Sequence, residues 1–360
     1  MTILIIIAGL LIIGALVYFN FKAKSQDSTD QFFISTQSQS KERIKGLNLD
    51  TPSEDASYIL DKSKLNFPQR TYSDEDEYKA NPEREWIISL IPRNGDPFHK
   101  KDFNEMFDYE WRSNFESTIY GFSPEEKRWT YANAGGTPDI YSKLQVAVNV
   151  QRVYADEEPQ FSPEKLNRYL IELEKRIKQY PTPLKLEVNE PVEAAIAKAQ
   201  KLVSLQNEFS FESIIVLQPK TRFKGMEVWD VLQSVGLEWG DMDLFHWDND
   251  DSDFGGDHHF SVWTTTNPGY FFPEEIKNGR MKPENLVFGF SVPRSADPLN
   301  IQPIMIEAVN YCQKRLGGEM LDQHGNPYNA EAEIQQLTDF VNRMKAQGIV
   351  PGSENALRMF

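Results

Sequence analysis

Cysteine is nearly absent from the sequence: among 360 residues there is one, Cys312. A single thiol excludes an intramolecular disulfide framework and any cysteine-rich zinc module, and such scarcity is typical of a chain kept in a reducing compartment. Cys312 falls within an apolar helical pattern. We therefore expect it to be a packed and chemically inert side chain.

Positive charge is also scarce, since 38 Lys and Arg stand against 54 Asp and Glu and give a formal net charge of -16. Surfaces that bind nucleic acid or a broad area of anionic lipid select for clustered lysine and arginine. The charge balance therefore predicts no nucleic-acid partner. It favours a protein as the partner of the globular part of the chain.

Patterns typical of catalysis are missing as well. The sequence shows no nucleophile and base in a recognisable arrangement. The "GGT" at residues 135–137 lacks both the lysine and the strand-to-helix frame of a phosphate-binding loop. We predict that the protein is not an enzyme and that it has neither a cofactor nor a small-molecule substrate.

The segment from His246 to His259 carries three histidines and several aspartates and is the strongest candidate for a metal site. A calcium loop starting at Asp248 fails, because Asp253 stands where glycine is needed and His259 where glutamate is needed. Zinc held by His246, His258 and His259 stays open, although strand neighbours 258 and 259 point to opposite faces. We favour a solvated hairpin with no metal.

The N-terminus carries a long uncharged apolar run from Ile3 to Phe19. Its length is at the short end of the roughly 17 to 25 residues that a membrane-spanning helix uses. A cleaved signal peptide is the alternative, but no basic residue precedes the run. Lys22 and Lys24 follow it directly, and positive charge marks the cytoplasmic side. We predict a membrane anchor over residues 1–21, which holds the N-terminus outside and the body in the cytoplasm.

Residues 22–84 are polar and show little apolar periodicity. A segment of this composition buries too little apolar surface to offset the entropy of ordering its backbone. We interpret it as a disordered cytoplasmic linker without a site of its own. Short docking motifs such as "RIKGLNL" are the alternative.

After residue 84, the same order of elements is predicted twice, over residues 85–208 and 209–348, with a tail at 349–360. Each unit reads as a strand, a helix, three strands, a helix, a short strand and a last helix. This order predicts the α+β fold class: two split β-α-β-like units whose mostly antiparallel sheets are covered by helices on one face. The other sheet face is then free to bind a partner.

Several short sequence words follow one another in the second unit: "GLEWGDMDLFH" (236–246), "FSV" (260–262), "NPGYF" (267–271), "FSVP" (290–293) and "LGGEMLD" (316–322). Through these words, in this order, residues 211–345 resemble the C-terminal domain of the ZipA family of membrane-anchored division proteins, which bind FtsZ. The apolar N-terminal run and the polar linker also resemble that family. The first unit lacks these words, and we interpret it as a diverged ZipA-like copy or an independently related module.

The resemblance implies an exposed sheet face that holds the C-terminal tail of FtsZ by apolar contact and so ties the division ring to the inner membrane. Carried over position by position, it places the binding face at Ile214, Met242, Leu244, Trp263, Thr265 and Gly289. Strand alternation is consistent with one face, since Met242 and Leu244 lie two residues apart, as do Trp263 and Thr265. The alternative is that these are core residues facing the helices.

Three of these positions differ from the family, which has a small residue at 263, a methionine at 265 and a phenylalanine at 289. An aromatic ring at Trp263 can supply the area that Gly289 removes. FtsZ and the lipid bilayer are therefore the predicted partners, at the division site on the inner membrane. A membrane-tethered adaptor of the same fold for a different cytoplasmic protein is the alternative.

Overall fold

The structure is a computed structural model that describes residues 40, 41, 43, 56–67, 78–158, 161–250 and 252–360. The predicted membrane anchor lies outside these residues, as does most of the predicted linker. Within the described part of the chain, no helix combines the length and the apolar character needed to cross a bilayer. The described part of the chain divides into a first unit, which lies within residues 69–210, and a second unit, which joins the described residues before 69 to residues 211–358.

The first unit is built on an antiparallel five-stranded sheet with the order β4-β3-β6-β1-β7, beside a small β2-β5 pair. Its strands are β1 (Glu85–Pro92), β2 (Phe98–His99), β3 (Thr118–Ser123), β4 (Arg128–Tyr131), β5 (Ile140–Tyr141), β6 (Lys143–Asn149) and β7 (Leu184–Val188). Its helices are α1 (Lys100–Met106), α2 (Tyr109–Asn114), α3 (Val150–Glu157), α4 (Pro163–Ile177) and α5 (Val192–Phe209).

Strand β1 pairs with β6 on one side and β7 on the other, and nearly all of its side chains are buried. On one face, the Trp86 ring meets Tyr169 of α4 edge to face at 6.5 Å. On the other face, Ile87 packs in a cluster with Ala80, Tyr120 and other apolar residues. Because Ala80 belongs to this cluster, the ordered part of the unit starts before residue 85.

The second unit is built on a six-stranded antiparallel sheet with the order β13-β8-β12-β11-β10-β9. Its strands are β8 (Glu212–Gln218), β9 (Glu238–Trp239), β10 (Phe245–Asp248), β11 (His258–Trp263), β12 (Leu286–Ser291) and β13 (Glu319–Leu321). Its helices are α6 (Gly225–Val235), α7 (Pro273–Lys277), α8 (Pro298–Leu316), α9 (Ala330–Ala346) and α10 (Glu354–Met359).

Helices cover one face of this second sheet. Helix α8 packs against β8 and β11, and it also contacts α6 and α9. Along β8, Ile215 and Leu217 are fully buried, whereas Ile214 and Val216 on the opposite face are partly exposed. Cys312 of α8 is also fully buried, and this burial raises the pKa of its thiol. The predicted combination of helices with antiparallel sheets is confirmed.

Three strands of the first sheet have counterparts in the second sheet, but the hairpin beside them is attached differently. In the first unit, β6, β1 and β7 are neighbours, and in the second unit β12, β8 and β13 have the same arrangement. The earlier strand of the hairpin, β3, lies beside β6 in the first unit, whereas the later strand, β11, lies beside β12 in the second. The two sheets therefore have three corresponding strands in the same order and differ in how the hairpin pairs with them.

Part of the predicted linker packs against the second unit. In residues 56–67, which we call the strap, Ala56, Ile59 and Leu65 are buried. The 3-10 turn Ala56–Tyr58 at its start contacts α6. This differs from the expected structureless linker, because three apolar side chains in a polar segment find buried positions that offset the entropy of ordering.

Polar and aromatic contacts hold the far end of the strap. The backbone N–H of Asn66 donates to the Asp297 carboxylate at 2.6 Å. The ring of Phe67 stacks on His259, with the ring centroids 5.8 Å apart. The strap is therefore joined to the second unit at both ends.

Candidate functional site

Strand pairing places four residues side by side across the second sheet. Gly289 of β12 pairs with Ile214 on one side and Ser261 on the other, and Ser261 pairs with His246. Directly paired residues of antiparallel strands project to the same face of a sheet. Because the helices cover the opposite face, this row belongs to the sheet surface that we call the open face, defined by Ile214, Gly289, Ser261, His246 and the adjoining Trp263.

The indole of Trp263 lies over Gly289. A Cβ atom added at Gly289 would stand 2.8 Å from Trp263 Cη2 and 3.3 Å from Ile214 Cγ1. Real Cβ atoms do not approach other atoms so closely, so the indole occupies the space that any larger residue at 289 would need. Trp263 and Ile214 are both partly exposed, and they lie away from the helix-covered core. The structure thus brings three of the six predicted residues together.

The expectation that Met242 and Leu244 alternate along one strand is wrong, because the strand β10 begins at Phe245. Met242 lies in the 3-10 turn Asp241–Asp243, and its backbone φ of 54° is left-handed. Asp243 follows with a φ of 59°. These two residues interrupt the extended chain, so strand alternation does not align Met242 with Leu244. The Met242 side chain is 75% exposed, whereas Leu244 is partly buried.

Hydrogen bonds close the turn that carries Met242. The N–H of Gly240 donates to the carbonyl of Leu244 at 3.0 Å, and the N–H of Asp243 donates to the carbonyl of Gly240 at 3.0 Å. From outside the turn, the N–H of Phe271 donates to the carbonyl of Asp243 at 2.9 Å. The turn is therefore a defined backbone structure with an exposed apolar side chain at its tip.

His246 connects the turn to the sheet. Its Nε2 lies 2.8 Å from the carbonyl oxygen of Asp241, and its Nδ1 lies 2.8 Å from Ser261 Oγ. Because a carbonyl oxygen only accepts, the proton of a neutral His246 is on Nε2 and the serine hydroxyl donates to Nδ1. Burial lowers the pKa of His246, which favours this neutral form.

The other two histidines do not complete a metal site with His246. The rings of His246 and His258 stack at 3.8 Å, and His258 Nδ1 bonds to Asp248 Oδ1 at 2.8 Å. His259 is buried, with its ring 4.6 Å from that of Trp247. Among the residues that the structure describes, no group of three or more metal-binding side chains converges.

Thr265 lies in the loop beyond the last residue of β11, not on the sheet itself. Its Oγ1 donates to Glu284 Oε1 at 2.9 Å, and its backbone N–H donates to Asn285 Oδ1 at 2.9 Å. The side chain is exposed. Thr265 is thus a polar loop residue close to Trp263 in sequence. It does not belong to the row of paired residues Ile214, Gly289, Ser261 and His246.

A hollow of about 230 Å³ borders the row on its polar side. It is lined by both apolar and charged groups, among them Ser261, Gly289, Asp241, His258, Ser291 and Arg294. The apolar side chains Ile214 and Trp263 next to a hollow of mixed character form a surface suited to binding a peptide segment. Sequence reasoning did not place Ser261 or His246 on this surface, although each lies two residues from a predicted site residue, Trp263 and Leu244.

Comparison with protein families matches residues 211–339 to the model described as ZipA, C-terminal FtsZ-binding domain. This match covers the strands that form the open face. The resemblance noted in the sequence is therefore confirmed for the second unit.

Curated relatives carry the name cell division protein ZipA. The protein of Marinobacter nauticus is 25% identical over 169 residues, which are 46% of this chain and 47% of that protein. The protein of Aliivibrio fischeri is 22% identical over 265 residues, 70% of this chain and 79% of its own length. The protein of Ectopseudomonas mendocina is 26% identical over 228 residues, 58% of this chain and 80% of its own length. The chain spans about half the length of the Marinobacter protein.

Proposed function

We propose that this chain, whose residues 211–339 belong to the ZipA C-terminal domain family, is a cell division protein that tethers FtsZ to the cytoplasmic face of the inner membrane. The description of the matched family supports FtsZ as the partner, and the exposed apolar groups of the open face support this surface as the binding site. In this proposal the C-terminal tail of FtsZ lies on the apolar side chains Ile214 and Trp263 of the open face and also contacts the exposed Met242 of the turn Asp241–Asp243. Binding there supports assembly of the division ring and septation.

The Trp263 indole over Gly289 is the observation that carries the proposal. A partly exposed tryptophan on a sheet face without covering helices offers a large apolar area that a partner can bury. Aromatic anchors of this kind contribute most of the binding energy in many interfaces. An exposed methionine such as Met242 adds a flexible side chain that adapts to a bound surface.

Attachment to the bilayer is assigned to the apolar run Ile3–Phe19, with the N-terminus in the periplasm and both units in the cytoplasm. The basic residues that directly follow the run support this orientation. Membrane fractionation of the full chain against a chain that starts at Gln26 tests the anchor. Recovery of the shortened chain in the membrane fraction would contradict it.

The substitution Trp263→Ala tests the binding face. We expect it to cost more than about 2 kcal/mol of binding to an FtsZ tail peptide, as for a hot-spot aromatic. Affinity then falls at least roughly thirtyfold. Because Trp263 is partly exposed, the fold should survive. The measurement is fluorescence polarisation of the labelled peptide against the full chain, with circular dichroism to verify folding.

Tyr109→Ala is the matched control, because Tyr109 is an aromatic residue of the first unit that is 80% exposed. It should leave tail binding unchanged. Normal binding by a folded Trp263→Ala variant would place the partner elsewhere. Unfolding would assign Trp263 to the core.

A membrane-tethered adaptor for a different cytoplasmic protein is the second candidate function. It is favoured by the exchange at 263 and 289, because the indole over Gly289 gives the open face a shape of its own. Under this alternative, Trp263→Ala would weaken capture of another protein, and the FtsZ tail would not bind the unmodified chain.

A further inference from the structure

We infer that His246 is a positioning residue of the open face: its imidazole holds the turn Asp241–Asp243 against the sheet and so presents Met242 to the partner. This inference rests on the proposed function, since it concerns the same surface. It adds His246 to the residues that determine binding, although His246 is not expected to contact the FtsZ tail itself.

Met242 has a backbone conformation that needs support from its surroundings. Its φ is 54° and that of Asp243 is 59°. Consecutive left-handed residues that are not glycine are uncommon, and each costs free energy unless neighbouring contacts define it. The Met242 side chain is 75% exposed, so its own packing provides little of this support. Hydrogen bonds to the backbone of the turn therefore provide support for this conformation.

The bonds within the turn close it but do not fix its angle to the sheet. Within the turn, the N–H of Gly240 donates to Leu244, that of Asp243 donates to Gly240, and that of Leu244 donates to Asp241, each to a backbone carbonyl. Bonds from outside fix the angle: Phe271 N–H reaches the carbonyl of Asp243, and His246 Nε2 reaches the carbonyl of Asp241 at 2.8 Å. The two ends of the turn are thus attached to different parts of the unit.

The imidazole of His246 is itself held in a fixed orientation. It is 4% exposed and belongs to the paired row that contains Ile214, Gly289 and Ser261. Its Nδ1 bonds to Ser261 Oγ, and the ring of His258 stacks on it at 3.8 Å. Because this side chain has a fixed orientation on the sheet, its bond to Asp241 fixes the position of the turn relative to the sheet. Both ring nitrogens are engaged, which fits a positioning role better than metal binding.

A double-mutant cycle on the full chain tests this inference, with the FtsZ tail peptide as the probe. We expect Met242→Ala to weaken binding roughly tenfold and His246→Ala roughly fivefold, the effect of one lost hydrogen bond. If His246 acts through Met242, then His246→Ala changes affinity by less than about twofold in the Met242→Ala background.

His246→Gln supplies the rescue, because a glutamine amide N–H can also donate to the carbonyl of Asp241. Binding should recover to within about twofold of the unmodified chain. The amide chemical shifts of Met242 and Asp243 should move in His246→Ala and return in His246→Gln. His324→Ala is the control, since His324 is exposed in a loop after β13.

The outcomes separate this inference from the proposed function. Equal losses from His246→Ala in both backgrounds would overturn it, because His246 would then act without Met242. Normal binding by folded His246→Ala, while Trp263→Ala and Met242→Ala weaken binding, would overturn the inference and leave the proposed function intact. Failure of the unmodified chain to bind the tail would overturn the proposed function, and the amide shifts would still decide whether His246 holds the turn. If His246→Ala does not fold, the glutamine variant and its shifts decide.

Discussion

At position 289, the lack of a side chain determines the shape of the open face. The Trp263 ring can lie over Gly289 of β12 only because the glycine has no Cβ atom there. The two residues are therefore one feature: a large ring on one strand fits over a missing side chain on the next. The sequence suggested that the ring at 263 offsets the glycine at 289, but only coordinates place the indole over that glycine.

Gly289→Ala should destabilise the second unit and weaken partner binding. The added Cβ would be 2.8 Å from Trp263 Cη2 and 3.1 Å from the Ser213 carbonyl oxygen, so the indole must move. Overpacking of this kind costs about 1 to 3 kcal/mol. Chemical denaturation and tail binding of the full chain measure the two effects.

The same substitution in a Trp263→Ala background is the control, because the ring that the new methyl group meets is gone. The loss of stability should then shrink to less than about 1 kcal/mol. An undiminished loss in that background would assign the strain at 289 to the Ser213 carbonyl and separate the glycine from the tryptophan.

Acidification should destabilise the second unit through His246. Burial lowers the pKa of His246 below its usual 6.5, repulsion from His258 adds to this, and the bond to Asp241 together with the charges of Asp241 and Asp248 opposes it. The unfolded chain therefore binds more protons just below about pH 6.5, so the stabilisation is present above that pH and is lost as the pH falls. Denaturation midpoints at about pH 7.5 and pH 5.5 should differ less in His246→Gln than in the unmodified chain. Identical differences would contradict this assignment.

At the scale of the elements, the strap is the segment whose ordered structure could not be predicted from its polar composition. Its residues lie in a polar stretch, yet Ala56, Ile59 and Leu65 are buried. Helices such as α8 and α9 were predictable, because Ile301, Met305 and Cys312 repeat over many turns. Three apolar residues in twelve give no such period, so their burial depends on contacts with distant parts of the chain.

Ile59→Ala should destabilise the second unit by about 2 to 5 kcal/mol, the usual cost of truncating a buried isoleucine. Ile59 is 2% exposed, whereas its neighbour Tyr58 is 58% exposed, so Tyr58→Ala is the matched control. Hydrogen exchange should rise in α6, which contacts the start of the strap, only in the first variant. Equal exchange in both variants would indicate that the strap is held too weakly to stabilise the unit.

The position of the candidate site residues in the fold could be predicted only where these residues lie on regular strands. Ile214, Trp263 and Gly289 lie on strands whose alternation is readable, and the structure brings them together. Strand alternation predicted that Met242 and Leu244 share a face, but Met242 lies in a turn with a left-handed backbone, to which Phe271 and His246 form hydrogen bonds. Which hairpin strand lies beside β6 or β12 could also not be predicted from the sequence, since this order is set by pairing between distant segments.

At the scale of the whole molecule, the first unit is an insertion. The second unit contains chain from both sides of it, because the strap precedes residue 69 and β8 follows residue 210. Each unit has its own buried core, as the large buried side chains Trp86 and Trp229 illustrate. Domains inserted in this way can usually be removed when the surrounding domain has a complete core.

Replacing residues 69–210 with a flexible Gly/Ser linker should leave the second unit folded and its tail binding within about twofold of the full chain. A linker of about 12 residues has an end-to-end distance of roughly 20 Å and leaves Phe67 free to stack on His259. Fluorescence polarisation of the tail peptide and thermal unfolding are the measurements. A shortened chain that also lacks residues 56–67 is the control, and it should unfold at a lower temperature because the buried side chains of the strap are gone. A loss of binding greater than about tenfold in a folded deletion variant would give the first unit a direct part in holding the partner.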